Sequence, residues 1–234
     1  MDVPEDHMTL GPAAANRAEH AARELRRLVL SLALRPGEAL PERRLERLLG
    51  VSRSPVRQAL AELRREGLVR RLGRSYHVAP IDLAELDELF AFRALLETSA
   101  VRWAAARRER AGLDAVEAIL SGLRDVTPPE ERLVGTARLH LALARASGNR
   151  FLADSLEALL PRVTRARYLE LTTPESARRG DEEHRRIVRL VGEGRGDEAA
   201  EVMAGHLERT LGHLKRSVDS LGSRLRLVAA GEPA

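Results

Sequence analysis

The stretch at residues 45–69, LERLLGVSRSPVRQALAELRREGLV, contains two apolar helical patterns separated by a short turn with a glycine. Leu45, Leu48 and Leu49 lie three and four residues apart, as on one face of a helix. Gly50 follows directly, and glycine most easily takes the left-handed conformation that is common at helix ends. The pattern therefore predicts a short helix that ends in a tight turn.

A second helix is predicted immediately after this turn. Ser54 can cap it by accepting a backbone N–H, and Pro55 suits its first turn, where no amide hydrogen is needed. Its inward positions are Val56, Leu60 and Leu63. Arg53 and Arg57 lie four residues apart at its amino-terminal end. Two short helices joined by a turn, with arginines at the start of the second, are typical of a helix-turn-helix.

The residues that follow predict a wing. Residues 68–71 and 76–78 are short strand patterns, and residues 72–75 between them contain the glycine of a turn. An arginine-rich amphipathic helix alone can simply be a solvated face. A helix-turn-helix followed by a two-stranded wing is a more specific arrangement, and it favours DNA binding.

The distribution of charge agrees with this interpretation. Residues 1–80 carry 15 Arg and 10 Asp or Glu, a net charge of +5, whereas the remainder carries 24 basic and 25 acidic residues. A local positive excess is what binding to DNA phosphates requires. The chain contains no cysteine, no apolar run of the length that spans a bilayer and no pattern of an export signal. We therefore expect a cytoplasmic protein that does not enter a membrane.

The stretch LRPGEALPERRLERLLGVSRSPVRQALAELRREGLV, residues 34–69, resembles the amino-terminal domain of the GntR family of bacterial transcription regulators. The resemblance implies that arginines read guanine edges, that serines hold phosphates and that the wing arginine reaches the minor groove. The implied DNA contacts are Arg43, Ser52, Arg53, Ser54, Arg57 and Arg74. The wing tip, Gly73-Arg74-Ser75, departs from the Asn-Arg-Gly that is usual in the family.

The pattern predicts a mainly α protein with two domains. Residues 1–15 form an arm, residues 16–80 a winged helix-turn-helix whose first helix Asn16 caps, and residues 223–234 a tail. Residues 81–222 show helical periodicity throughout, which predicts an all-α antiparallel bundle. Asp82 and Glu85 form a capping-box pattern at its first helix. The predicted starts of its other helices are Leu113, Pro128, Asn149, Pro174 and Asp197.

Four segments of the second domain resemble the FCD-type ligand-binding domain of the FadR subfamily: FRALLETSAVRWAA, ARLHLALARASGNRFL, EEH and VMAGHLERT. With the amino-terminal match, the resemblance spans nearly the whole chain. It implies a homodimer, usually a repressor, that binds a palindromic operator of double-stranded DNA. It also implies a small-molecule effector, commonly a carboxylate, that changes the affinity for DNA.

Three histidines of this domain, His140, His184 and His206, lie on apolar helix stripes. The last two lie eight residues before and ten residues after the glycine-rich break at residues 192–196, so they are level in an antiparallel helix pair. A single histidine on such a stripe is usually a core residue. Three that converge inside a bundle could hold a divalent cation, because neutral imidazoles are common metal ligands.

The resemblance extends to a metal-binding branch of the subfamily, in which three histidines match these positions. In that branch an aspartate stands four residues before the first histidine, and here the position is Thr136. A threonine hydroxyl is a poor ligand at neutral pH. We therefore expect a weakened site for zinc or nickel that water or an effector carboxylate completes.

Arg93 and Glu97 lie one turn apart on the inward side of the first bundle helix. They can form an internal ion pair, or Arg93 can bind an effector carboxylate through two hydrogen bonds. Thr136 and Tyr168 are further candidates for effector binding. Two other functions are a hydrolase that uses the three histidines and a non-catalytic dimerisation protein. The chain has neither HExxH nor GxSxG, so we expect a regulator and not an enzyme.

Overall fold

The computed structural model describes residues 12–123, 129–167 and 174–221, and divides the chain into two compact units, Met1–Ala79 and Pro80–Ala234. The predicted tail and Tyr168 lie outside the described residues, as does most of the predicted arm. In the described residues the first unit contains three helices and a two-stranded sheet. Their bounds are α1 Pro12–Leu30, α2 Glu42–Leu49, α3 Arg53–Arg65, β1 Val69–Leu72 and β2 Ser75–Val78.

The first unit is a winged helix in which α1 and α2 both pack on α3. Leu25 of α1, Leu45 of α2 and Leu60 of α3 are completely buried. Because these positions recur at helical spacing, burying them fixes the rotation of each helix about its own axis. The start of α1 differs from the prediction: the helix begins at Pro12 and not after Asn16, since proline is well tolerated in a first turn.

The turn between α2 and α3 confirms one prediction and corrects another. Gly50 ends α2 in the left-handed conformation, with φ of 64°, and its N–H donates to the carbonyl of Glu46. Ser54, however, does not cap α3. The helix begins at Arg53, and Ser52 occupies the capping position without a capping hydrogen bond from its side chain. Pro55 therefore falls later in the first turn, and the backbone N–H of Val56 donates to the carbonyl of Ser52.

The wing is an antiparallel hairpin in which Val69 pairs with Val78 and Leu72 pairs with Ser75. Its connection consists of only two residues, so the strands reach one residue further toward the tip than predicted. Gly73 takes φ of 58°, as the first central residue of a type II′ turn requires. Arg74, the second residue of the connection, therefore stands at the exposed tip of the wing.

The second unit is a helical domain. In its described residues the helices are α4 Leu83–Arg107, α5 Arg110–Gly122, α6 Pro129–Ala146, α7 Arg150–Arg167, α8 Pro174–Gly192 and α9 Gly196–Leu221. Asp82 caps α4 by accepting from the backbone N–H of Ala84, whereas Glu85 pairs with Arg162 at 3.1 Å instead of completing a capping box. Asn149 caps α7 as predicted, because its side-chain oxygen accepts from the backbone N–H of Leu152.

Helix α4 lies at the centre of the second unit and packs against α6, α7, α8 and α9. Its inward face buries Phe90, Arg93 and Glu97. The opposite face carries exposed apolar side chains among polar ones, and there Phe92 and Leu95 are 48% and 69% exposed. No helix in the described parts of the chain combines the length and the apolar character needed to cross a bilayer.

Candidate functional site

The first candidate site is the face formed by the start of α3, the start of α2 and the wing. Arg43, Arg53 and Arg74 line one cleft of about 580 Å³ in this face. Arg57 lies one turn beyond Arg53 on α3, and the side chains of Arg53 and Arg57 are 70% and 67% exposed. The tertiary structure thus brings together arginines that are as much as 31 residues apart in the sequence.

The two serines predicted to hold phosphates lie at the same end of α3. Ser52 and Ser54 are both exposed, and Ser52 has no capping hydrogen bond that would commit its hydroxyl. All six predicted DNA contacts are therefore accessible. Exposed arginines and hydroxyl groups at a helix start are the groups that position a protein on the DNA backbone and read base edges.

One acidic residue within this face was not predicted from the sequence. A carboxylate oxygen of Glu42, the first residue of α2, accepts a hydrogen bond from Nε of Arg53 at 2.5 Å. Its other oxygen lies 3.8 Å from Nε of Arg57. Glu42 therefore contacts both arginines at the start of α3. Spacing within a single helix cannot reveal this contact, because Glu42 and Arg53 belong to different helices.

The second candidate site lies inside the helical domain, where α6, α8 and α9 bring together the three predicted histidines. His140, His184 and His206 are at most 5% exposed. Each offers one ring nitrogen, and these three atoms lie within 4.8 Å of one another. Nε2 of His184 lies 3.2 Å from Nε2 of His206, so the two are level, as the residue counts predict.

Carboxylates orient two of the three imidazole rings. Nδ1 of His140 is hydrogen-bonded to Glu97, and Nδ1 of His206 lies 2.7 Å from a carboxylate oxygen of Glu183. An ionised carboxylate only accepts, so Nδ1 carries the hydrogen in both rings and Nε2 keeps a lone pair. Nε2 of His140 is buried without a hydrogen-bond partner. The donor set therefore fits a divalent cation held by nitrogen atoms.

The electrostatics of the cluster favour neutral imidazoles. Burial lowers the pKa of His140, of His184 and of His206, because an apolar interior disfavours the charged form. For Glu97, burial is the largest single influence and opposes ionisation, but Arg93 and His140 together outweigh it and lower the pKa of the carboxyl group. The site thus contains three neutral rings beside an ionised carboxylate, which is the protonation state that metal binding needs.

Arg93 forms the internal ion pair that was one of its two interpretations. Its Nε donates to Glu97, and both side chains are 1% exposed. The ion pair does not use all of the guanidinium, because Nη1 is buried without a hydrogen-bond partner. The charge of Arg93 also contributes to lowering the pKa of His184 and of His206, so it acts on the histidine cluster.

Two further residues, Thr136 and Tyr168, were predicted to bind the effector. Thr136 is buried, and its hydroxyl donates to the carbonyl of Arg132 at 2.9 Å, within its own helix. Tyr168 lies outside the described residues. Sequence reasoning did not predict the contact of Glu97 with His140, nor that of Glu183 with His206 and Arg209. The EEH motif, which ends at the second histidine, was a partial signal for Glu183.

Comparison with known proteins assigns both units to described families. The family "Bacterial regulatory proteins, gntR family" matches residues 17–76, and the FCD domain family matches residues 88–209. The HTH-type transcriptional regulator LutR of Bacillus subtilis (strain 168) is 30% identical over 200 residues, which cover 74% of this chain and 90% of that protein. The Glc operon transcriptional activator of Escherichia coli (strain K12) is 29% identical over 200 residues, which cover 74% of this chain and 79% of that protein.

The fold is also found among solved structures. E. coli McbR/YncC superposes with a TM-score of 0.71 at 20% identity, covering 86% of this chain and 97% of that one. At this identity the likeness concerns the fold alone. The sequence relatives are transcriptional regulators, which are not enzymes, so the hydrolase that the three histidines suggested is set aside.

Proposed function

Because this chain belongs to the GntR family of bacterial DNA-binding transcription regulators and carries an FCD domain, we propose that it is a homodimeric repressor controlled by a small carboxylate. In this proposal the arginine face of the winged helix reads a palindromic operator, and the histidine cluster of the helical domain receives the effector. The observation that carries it is the buried donor Nη1 of Arg93, which lacks a partner beside three neutral imidazoles.

A carboxylate effector satisfies this arrangement chemically. Leaving a buried donor without a partner costs about 1–3 kcal/mol, and more for a charged group. A carboxylate accepts the N–H of Arg93 and contributes one negative charge next to the guanidinium. Glu97 balances the positive charge of Arg93 and no more. When a cation also enters the cluster, a further anion beside Arg93 is therefore favoured.

A divalent metal, zinc or nickel, fits the three ring nitrogens. His140, His184 and His206 would hold it, and the metal would supply a Lewis-acidic position for an effector oxygen. Glu97 and Glu183 keep two of the rings oriented toward it. Since Thr136 replaces the acid of the related sites, the protein supplies one negative charge fewer. The effector carboxylate therefore contributes to binding the metal as well as to binding Arg93.

Dimerisation is assigned to the outward face of α4. Phe92, Leu95 and Trp103 all lie on this outward face, and they are 48%, 69% and 46% exposed. Large apolar side chains gathered on one helix face are typical of a protein interface. A second copy of the chain is the partner that fits, because a two-fold dimer presents two recognition helices to the half-sites of a palindrome.

The test begins with selection of DNA from a random library by the full-length protein, followed by titration of the enriched sequence in gel-shift assays. We expect a palindrome, binding by a dimer and a change in affinity when zinc and a carboxylate from a panel of small acids are added together. One relative is an operon activator, so either direction of change supports effector control. Enrichment of no sequence, or binding that no acid alters, would contradict the proposal.

A further inference from the structure

Glu42 lies among the arginines of the DNA-binding face, although DNA repels a carboxylate. Its side chain is 23% exposed, whereas those of Arg53 and Arg57 are 70% and 67% exposed. A partly covered acid within a mainly basic surface opposes binding to any DNA sequence. Its presence calls for a compensating role, and the contact with Arg53 indicates what that role is.

The contact uses a particular atom of Arg53. Nε donates to Glu42 at 2.5 Å, and this leaves the two terminal nitrogens of the guanidinium available at its far end. These terminal nitrogens form a fork that can donate to O6 and N7 of guanine. An arginine that is already held by a carboxylate loses less rotamer freedom when it meets a base than a free arginine does.

We propose that Glu42 is a positioning residue that sets the sequence discrimination of Arg53. It holds the guanidinium in the orientation that reads guanine, and its charge weakens binding to DNA that lacks this guanine. The proposal rests on the proposed role of Arg53 as a base-reading residue. Specificity is a difference between two affinities, and both effects of Glu42 increase that difference.

Glu46 provides a matched control within the same cleft. It lies one turn after Glu42 on α2, lines the cleft with Arg53, and its charge raises the pKa of Arg53 after the larger contribution of Glu42. Among the contacts in the described part of the chain, no hydrogen bond joins Glu46 to Arg53. Removing Glu46 therefore removes a similar charge but leaves Arg53 held in place.

The experiment measures the affinity of the full-length protein for two duplexes of equal length, the operator selected in vitro and a scrambled sequence. Each guanine of the operator is then replaced in turn by 7-deazaguanine, which lacks the N7 acceptor. The variants are Glu42→Ala, Glu42→Gln and Glu46→Ala, with Arg53→Ala to identify the guanine that Arg53 reads. Thermal unfolding of each variant reports any loss of structure.

For Glu42→Ala we expect the ratio of operator to scrambled affinity to fall about tenfold, since one bidentate contact gives discrimination of this order. The loss of operator affinity that 7-deazaguanine causes at the guanine read by Arg53 should also become smaller. Glu42→Gln keeps an oxygen acceptor and should recover part of the ratio. Glu46→Ala should strengthen binding to both duplexes by similar factors and leave the ratio within about twofold of wild type.

Two results overturn the proposal. One is that Glu42→Ala keeps both the wild-type ratio of operator to scrambled affinity and the wild-type loss of affinity on 7-deazaguanine substitution. The other is an equal fall in affinity for both duplexes together with a lower unfolding temperature, which would mean that Glu42 only stabilises α2. If selection enriches no operator, or if Arg53→Ala binds the operator like wild type, the proposed role of Arg53 is wrong, and this outcome is separate from a failure of Glu42.

Discussion

Nε2 of His184 faces Nε2 of His206 at 3.2 Å. Nδ1 of His206 is hydrogen-bonded to Glu183, so Nε2 of His206 bears a lone pair. Two lone pairs repel each other at this distance, and the contact is stable only if His184 donates a hydrogen or a cation accepts both lone pairs. The pair is therefore suited to bind a metal once the hydrogen of neutral His184 moves to Nδ1, because both Nε2 atoms then present lone pairs.

His184→Ala should reduce the affinity for zinc or nickel at least tenfold, because it removes one of three ligands and leaves two. Calorimetric titration into chelator-treated protein measures this. His213→Ala is the control, since His213 lies on the same helix about 10 Å beyond His206 and outside the cluster. If His184→Ala binds added metal as well as wild type, and freshly purified protein contains none, the metal site must be abandoned.

Thr136→Asp should strengthen metal binding while weakening the dependence of metal affinity on added carboxylate. The new acid supplies the oxygen and the negative charge that the effector otherwise contributes, and coupling between two ligands is reciprocal. The measurement is zinc titration with and without the carboxylate that alters operator binding. Thr136→Val, which keeps the shape of threonine, should leave both quantities near those of wild type. Unchanged coupling in Thr136→Asp would contradict a shared site.

Arg53→Ala and Arg57→Ala should each abolish specific operator binding while the helical content stays unchanged. Both side chains are exposed at the start of α3, so they contribute little to packing. Each lost bidentate contact should cost about 1–3 kcal/mol per half-site. Arg23→Ala on α1 removes the same charge from an exposed ion pair and is the control. Gel-shift titration decides, and wild-type affinity in either variant would refute the assignment.

A fragment that begins at Ile81 should remain a dimer, and Leu95→Glu in the full-length protein should give monomers. The substitution places a charge in the middle of the apolar face of α4, where it would be buried without a partner. Phe151→Glu is a matched control, because Phe151 of α7 is also 69% exposed. Sedimentation velocity distinguishes the species. A monomeric fragment, or a dimeric Leu95→Glu protein, would show that another surface pairs the chains.

Chelator-treated protein should lose stability as the pH falls below about 6.5. The histidine pKa values are lowered in the fold, so the unfolded chain binds protons that the folded chain excludes, and stability decreases toward acid. The decrease continues toward the pKa of about 4 for His140. Each excluded proton contributes at most about 1.4 kcal/mol per pH unit. Urea unfolding from pH 7.5 to 5 tests this, and constant stability would indicate protonated histidines in the folded state.

Local patterns in the sequence were sufficient to predict the helix-turn-helix and part of the histidine cluster. Apolar spacing and one glycine predicted the helix-turn-helix, and Asn149 was correctly identified as a cap from its position alone. Counting residues from a turn placed His184 level with His206. These features depend on interactions over a few residues or on helix geometry, which spacing encodes directly.

Other features were decided only by the tertiary structure. Glu42 holds Arg53 across the turn between two helices, and Glu97 orients His140 over 43 residues of sequence. Such contacts depend on how far each helix extends, how it rotates about its axis and which helix packs beside it. Burial of the whole core sets these quantities, and the spacing within one helix does not specify them. The same packing leaves Nη1 of Arg93 without a partner, and the proposed effector site rests on this donor.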